Sequence, residues 1–122
     1  MPFFAWESII KDVKEGKTLP AGMSRQGVVV GDVMLAMHEA FTKLKCKPHK
    51  HESSQITYMI KGKLKMMIGG EVKVISSGQF GYVPANTEHS IESLDEYVLA
   101  LDIFNPPRKD ILERLHELEA GS

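Results

Sequence analysis

The sequence has little of what marks a secreted or membrane-spanning chain. It holds one cysteine, Cys46, so no intramolecular disulfide can form and a reducing, intracellular setting is expected. No stretch approaches the roughly 20 apolar residues that a spanning helix needs. The opening MPFFAWESII carries no basic cluster and is interrupted by Glu7, which argues against a secretory leader. Neither sign of charge prevails: 15 basic residues stand against 16 acidic ones, a net charge of -1. That balance removes the bulk positive field by which a nucleic-acid scaffold holds its partner. Repeats, low-complexity tracts and Gly/Ser-rich linkers are also missing. The 122 residues are therefore expected to form one domain, 1–122, in the cytoplasm, with no nucleic-acid or membrane partner.

What is present is a succession of short β segments separated by turn residues. In VVVGDVML, Gly31-Asp32 reads as a two-residue hairpin turn with glycine first, and Gly69-Gly70 repeats the device in KLKMMIGGEVKVIS. Leu64, Met66 and Ile68 alternate with more polar residues before the second turn, and Val72 and Val74 with Glu71 and Lys73 after it. Phe80 to Val83 reads as a short strand stopped by Pro84 and Asn86. EYVLALDIF is apolar on both faces except at Asp102 and is expected to be buried on both sides. Trp6 to Val13 reads equally well as a short helix or an edge strand. One helix is expected after Pro106-Pro107, with Ile111, Leu112, Leu115 and Leu118 on one stripe and pairs Asp110/Arg114 and Lys109/Glu113 along its surface. This pattern predicts an all-β sandwich or small barrel with a C-terminal helix.

The chemistry concentrates in HKHESSQ, residues 49–55, and in His89. On extended backbone a His-x-His pair sends both imidazoles to one face, and Gln55 shares their parity if the chain stays extended. His89 comes from a separate strand pair and is the residue that would complete a four-residue metal set; taken alone, the His-x-His pair reads as an exposed polar loop. Imidazole nitrogens suit zinc, copper, iron and nickel, and an amide oxygen is a harder fourth ligand. A neutral amide leaves the full positive charge on the ion, which favours binding anions and polarising oxygens over redox turnover.

His49-x-His51-x3-Gln55-x6-Gly62, followed by Gly78-x5-Pro84-x-Asn86-x2-His89-x3-Ser93, resembles the paired motifs of the cupin superfamily. Lys43, Gln55, Asn86 and Ser93 stand where that pattern has glycine, glutamate, glycine and asparagine; asparagine also tolerates positive φ. The resemblance implies a double-stranded β-helix, the jelly-roll barrel, with a metal in its mouth. HESSQITYMIKGKLKMMIGGE and VPANTEHSIESLDEYVLALDIFNPPRKDIL are similar to the short pectin-degradation (KdgF-like) cupins, including the D-x-F-x-P-P-R segment from Asp102 to Arg108. That likeness implies one divalent transition-metal ion (Ni, Zn, Mn, Fe or Co) and a homodimer. The implied reaction converts 4,5-unsaturated uronate monomers, small anionic sugar acids from pectin or alginate breakdown, into linear keto acids.

Three further residues carry roles under that resemblance, each beside a plainer alternative. Asp102 is either the general acid/base or a structural residue that caps the strand end or pairs with Arg108. Phe104 either walls the pocket or is ordinary core. Arg108 either clamps a substrate carboxylate or is a solvated residue of the helix's first turn. His38 and His116 fall outside both motifs; His38 is read as a satisfied or exposed strand residue and His116 as a surface residue of the helix. Lys43, Lys45, Lys47 and Lys50 are read as a solvated face, and Tyr58 and Met59 as core. Arg25 is a weak candidate for entering the barrel. Beside the sugar-acid enzyme stand two other functions: a cupin dioxygenase, disfavoured by the missing glutamate, and a non-catalytic small-molecule-binding module.

Overall fold

The computed structural model describes residues 2–121. Nine strands and one helix follow each other in chain order: β1 (Lys11–Asp12), β2 (Met23–Val30), β3 (Val33–Ala40), β4 (Ser54–Lys61), β5 (Leu64–Ile68), β6 (Glu71–Ile75), β7 (Phe80–Val83), β8 (His89–Ser93), β9 (Val98–Asn105) and α1 (Lys109–Ala120). A six-stranded antiparallel sheet runs β1-β2-β3-β9-β4-β7, and a three-stranded one runs β6-β5-β8. This two-sheet jelly roll with a C-terminal helix is the expected all-β class. The turns use the anticipated chemistry. Gly31 alone is at positive φ in the first hairpin, and both Gly69 and Gly70 are in the second. Asn86 sits at φ 57, the left-handed conformation that lets it replace a glycine.

The Trp6 to Val13 stretch divides between its two readings: a 3-10 turn over Trp6–Ser8, then the edge strand β1. β9 lies in the middle of the large sheet, between β3 and β4. Its inward residues Val98, Ala100, Asp102 and Phe104 are buried, but outward Leu99, Leu101 and Ile103 are only half-buried, so burial is complete on one side. β6 is an edge strand, and its apolar residues Val72 and Val74 point outward and are exposed.

The core falls into two clusters. Met59, Leu64, Met66, Val83 and Val98 pack between the two sheets, while Met34, Ala36 and Phe104 pack against Ile111 and Leu115 of α1. Gly27 makes the second contact possible. A Cβ there would lie 3.1 Å from the Leu115 methyl carbons. The expected i, i+4 pairs on α1 do not form. Arg108 takes Asp110, Lys109 takes Glu52, and Arg114 reaches across to Asp12 at 2.8 Å. Asp12 is only 2% exposed, and a buried carboxylate gains more from a guanidinium than an exposed helix pair does. Arg25 is fully buried on the inner face of the large sheet, opposite His38 in register. It donates to the carbonyl and hydroxyl of Thr18 and lies 3.7 Å from Asp12. Among the described residues no helix is long and apolar enough to cross a membrane.

Candidate metal centre

His49 lies outside the named strands. It forms an isolated bridge with His89, the first residue of β8, through reciprocal backbone hydrogen bonds of 2.9 Å. His51 follows, and the chain bends at Glu52 and Ser53 before β4 begins, so Gln55 reaches the site from a strand rather than by a continued parity. Even so, the four sequence candidates come together. One ring nitrogen from each of His49, His51 and His89 lies within 4.8 Å of the others. Gln55 Oε1 is 3.1 Å from His51 Nε2.

Each imidazole is held by its Nδ1 against a backbone carbonyl two residues away. The distances are 3.3 Å for His49 to Lys47, 2.8 Å for His51 to Ser53 and 2.8 Å for His89 to Thr87. A carbonyl only accepts, so Nδ1 carries the hydrogen and Nε2 is left as a lone pair. His89 Nε2 is buried with no hydrogen-bond partner among the described residues. In that tautomer the His51 Nε2 lone pair faces Gln55 Oε1, itself an acceptor, with no hydrogen between them. Orphaned lone pairs converging on one point fit a metal ion, and the carbonyls behind each ring are the usual orienting partners of ligand histidines. Burial pushes His51 below its ordinary pKa, helped by the charge of Arg108, and pushes His89 down to about 4. Both rings are therefore neutral near pH 7, the ligand form.

The orientation of Gln55 is set from behind. Its Nε2 donates to Thr57 Oγ1 at 2.9 Å and to Asp102 Oδ1 at 3.2 Å. Thr57 donates its hydroxyl to the same Asp102 oxygen, and His38 Nδ1 lies 2.7 Å from Asp102 Oδ2. Asp102 is only 8% exposed. Burial alone would raise its pKa, but the hydrogen bond and charge of His38, with Thr57 and Arg108, hold it below the ordinary carboxylate range. Asp102 thus does not pair with Arg108, the alternative the sequence left open. Nor is His38 a bystander. It sits on the inner face of β3, between Ala36 and Ala40, and contacts a residue 64 positions away.

Phe104 is 1% exposed, edge-on to His51 at 5.7 Å between ring centroids and packed on α1 as well, so wall and core descriptions both hold. The Arg108 guanidinium stands 5.4 Å over the Phe104 ring and is gripped by both oxygens of Asp110, at 3.1 and 2.7 Å. Phe104 and Arg108, with His49, Gln55, His89 and Asp102, border a cavity of about 130 Å³ whose apolar lining includes Leu44, Leu64, Ile91 and Val98. Of the remaining residues, His116 and the four lysines are exposed and Met59 is core, as read. Tyr58 is 39% exposed on the outer face, because β4 alternates strictly and Met59 takes the inside. Thr57 and His38 were the members of the site that the sequence did not mark.

Comparison with known proteins bears on this geometry. A cupin-domain family model matches residues 42–104, the span that holds all four candidate ligands. The pectin degradation protein KdgF of Dickeya dadantii (strain 3937) is 30% identical over 105 residues, covering 84% of this chain and 96% of that protein. The solved structure of KdgF from Halomonas sp. is 29% identical, with a TM-score of 0.69 over 74% of this chain and 84% of that one. An RmlC-like cupin from Shewanella frigidimarina NCIMB 400 shares the fold, with a TM-score of 0.77 at 23% identity over 89% of this chain and 94% of that one.

Proposed function

The chain belongs to the cupin family, and we propose that within it this protein is a metal-dependent enzyme acting on 4,5-unsaturated uronate monomers. The reading rests above all on one observation: an anionic carboxylate, Asp102, hydrogen-bonded to the amide whose oxygen joins three imidazole lone pairs at the cavity. The likeness to KdgF supplies the substrate class. His49, His51, His89 and Gln55 would hold one divalent ion. Bound there, it supplies positive charge that stabilises negative charge developing on substrate oxygens.

In such a uronate the ring oxygen joins C1 to C5, and C4 and C5 are doubly bonded. Asp102 takes the proton of the C1 hydroxyl. As the C1 carbonyl forms, the bond from C1 to the ring oxygen breaks, and its electron pair stays on that oxygen as an enolate across C5 and C4. A proton returned to C4 leaves a ketone at C5. One proton leaves O1 and one enters C4, so a single carboxylate serves both steps and nothing is oxidised or reduced. Arg108, its guanidinium fixed by Asp110, has N–H groups left for the substrate carboxylate. Phe104 offers a flat wall to the sugar ring. A homodimer and an intracellular setting belong to the same reading.

The test is optical. The conjugated enol ether absorbs in the near ultraviolet, and unsaturated uronate is made with a polyuronate lyase and an oligouronide lyase. Metal-loaded protein should speed the loss of that absorbance beyond the spontaneous rate. EDTA should abolish the effect, and Asp102→Ala should slow it by at least about 100-fold. No acceleration by a fully loaded protein would remove this substrate class and leave a small-molecule-binding cupin as the better description.

A further inference from the structure

We propose that His38 is a positioning residue for this reaction, presenting the Asp102 carboxylate to the substrate; the inference rests on the enzymatic reading above.

His38, Asp102, Thr57 and Gln55 form one row across three adjacent strands, β3, β9 and β4, all on the inner face of the large sheet. Thr57 stands directly opposite Asp102 on β4. Opposite Asp102 on β3 stands Ala36, which has no polar side chain. His38, two residues further along and paired with Ala100, reaches Asp102 diagonally and closes the 2.7 Å contact.

A carboxylate has about four lone-pair sites. Two donors, Thr57 Oγ1 and Gln55 Nε2, occupy Oδ1. His38 occupies one site on Oδ2, and it is the single hydrogen-bond donor to that oxygen among the described residues. The lone pair left for taking a proton therefore belongs to Oδ2, the oxygen that His38 holds. Both His38 and Asp102 border the cavity. Without His38, Oδ2 has no fixed partner, and nothing on the β3 side keeps the carboxylate plane in place. The same row then loses its grip on Gln55, whose Nε2 depends on Asp102 for one of its two bonds. His38 thus acts through Asp102 and stands outside the set of candidate ligands.

The experiment compares wild type, His38→Leu and His38→Asn as metal-loaded proteins of equal metal content, with kcat and KM on the unsaturated uronate measured separately. Asparagine places an N–H where Nδ1 of histidine stands; leucine places none. The expected result is a fall in kcat of about 100-fold for His38→Leu with KM changed little, and recovery of most of kcat by His38→Asn. A folded, loaded His38→Leu protein with wild-type kcat would overturn the role, as would a His38→Asn protein no better than the leucine variant. If His38→Leu fails to fold, the asparagine variant decides alone: near wild-type kcat supports the role and near-background kcat removes it. An inactive wild type overturns the enzymatic reading and this inference with it, whereas an active wild type beside an equally active His38→Leu overturns only the role of His38.

Discussion

An amide at position 55 has a reason beyond the charge it leaves on an ion. Its two ends face opposite demands: Oε1 turns to the histidine cluster, and Nε2 must donate to Asp102, 3.2 Å away. A glutamate there would set two carboxylates against each other at that distance, with a lost hydrogen bond on both sides. Gln55→Glu should therefore lower the stability of the metal-free protein by about 1–3 kcal/mol, and adding Asp102→Asn should recover most of it, because the asparagine amide can donate where the aspartate could not. Urea unfolding of the two variants in EDTA checks this; equal stability of Gln55→Glu and wild type would deny the coupling. His89 gives a second expectation at the same scale. Its pKa is held near 4 by burial, against an ordinary 6.5 when unfolded. Between these values the unfolded chain binds the proton and the folded one does not, so folded stability is fully present above about pH 6.5 and falls as pH drops toward 4. The loss should reach roughly 3 kcal/mol in metal-free protein. His89→Gln should flatten that part of the curve in melts from pH 4 to 7.

At the scale of elements, Asp12 ties three pieces of chain. It sits on the edge strand β1, accepts two hydrogen bonds from Arg114 on α1, and faces the fully buried Arg25 on β2. Removing it takes from the buried Arg25 guanidinium its one ion-pair partner among the described residues, so Asp12→Ala should destabilise by about 3–5 kcal/mol. Lys11, on the same strand, pairs with Glu39 of β3 through a half-exposed side chain, and Lys11→Ala should change stability by less than about 1 kcal/mol. Denaturant midpoints of the two variants separate these cases. This cluster also marks where the sequence stops being legible. The strands, both glycine turns and the apolar stripe of α1 follow from periods of two and 3.6 and from turn chemistry, all local. The partners of Arg114 and Lys109 do not. The i, i+4 rule offered Asp110 and Glu113, and tertiary placement supplied Asp12 and Glu52 instead. The site divides the same way. His49, His51, Gln55 and His89 could be named as candidates because two short motifs together resemble the cupin pattern, and Asp102 because an acid stands out in an apolar strand. His38 could not, since its meaning depends on β3 lying beside β9, a pairing that no local pattern encodes.

Across the whole molecule, the four candidate ligands are shared between the two sheets. Gln55 belongs to β4 of the six-stranded sheet, His89 opens β8 of the three-stranded one, and His49 and His51 come from the segment between β3 and β4. That segment is joined to β8 by the reciprocal His49–His89 backbone bonds, and His51 accepts from the Asn86 amide at 2.8 Å. An ion held by all four side chains would close the same seam a second time, adding ligand bonds beside the main-chain pair of His49 and His89. Anything that binds the folded state and not the unfolded one stabilises by mass action, about 2.7 kcal/mol when the free ion stands at 100 times its Kd. Loading with nickel, zinc or manganese should therefore raise the melting temperature of wild type and leave that of His89→Ala unchanged. The gain should also be local. Amide exchange should slow most at His49, Asn86 and His89 and little at the β1–β2 edge, because opening the seam must then break ligand bonds as well as backbone ones. Uniform slowing across both sheets would mean that the ion stabilises the barrel without bridging it. No shift in melting temperature with any of these ions would place the histidine lone pairs outside metal binding altogether.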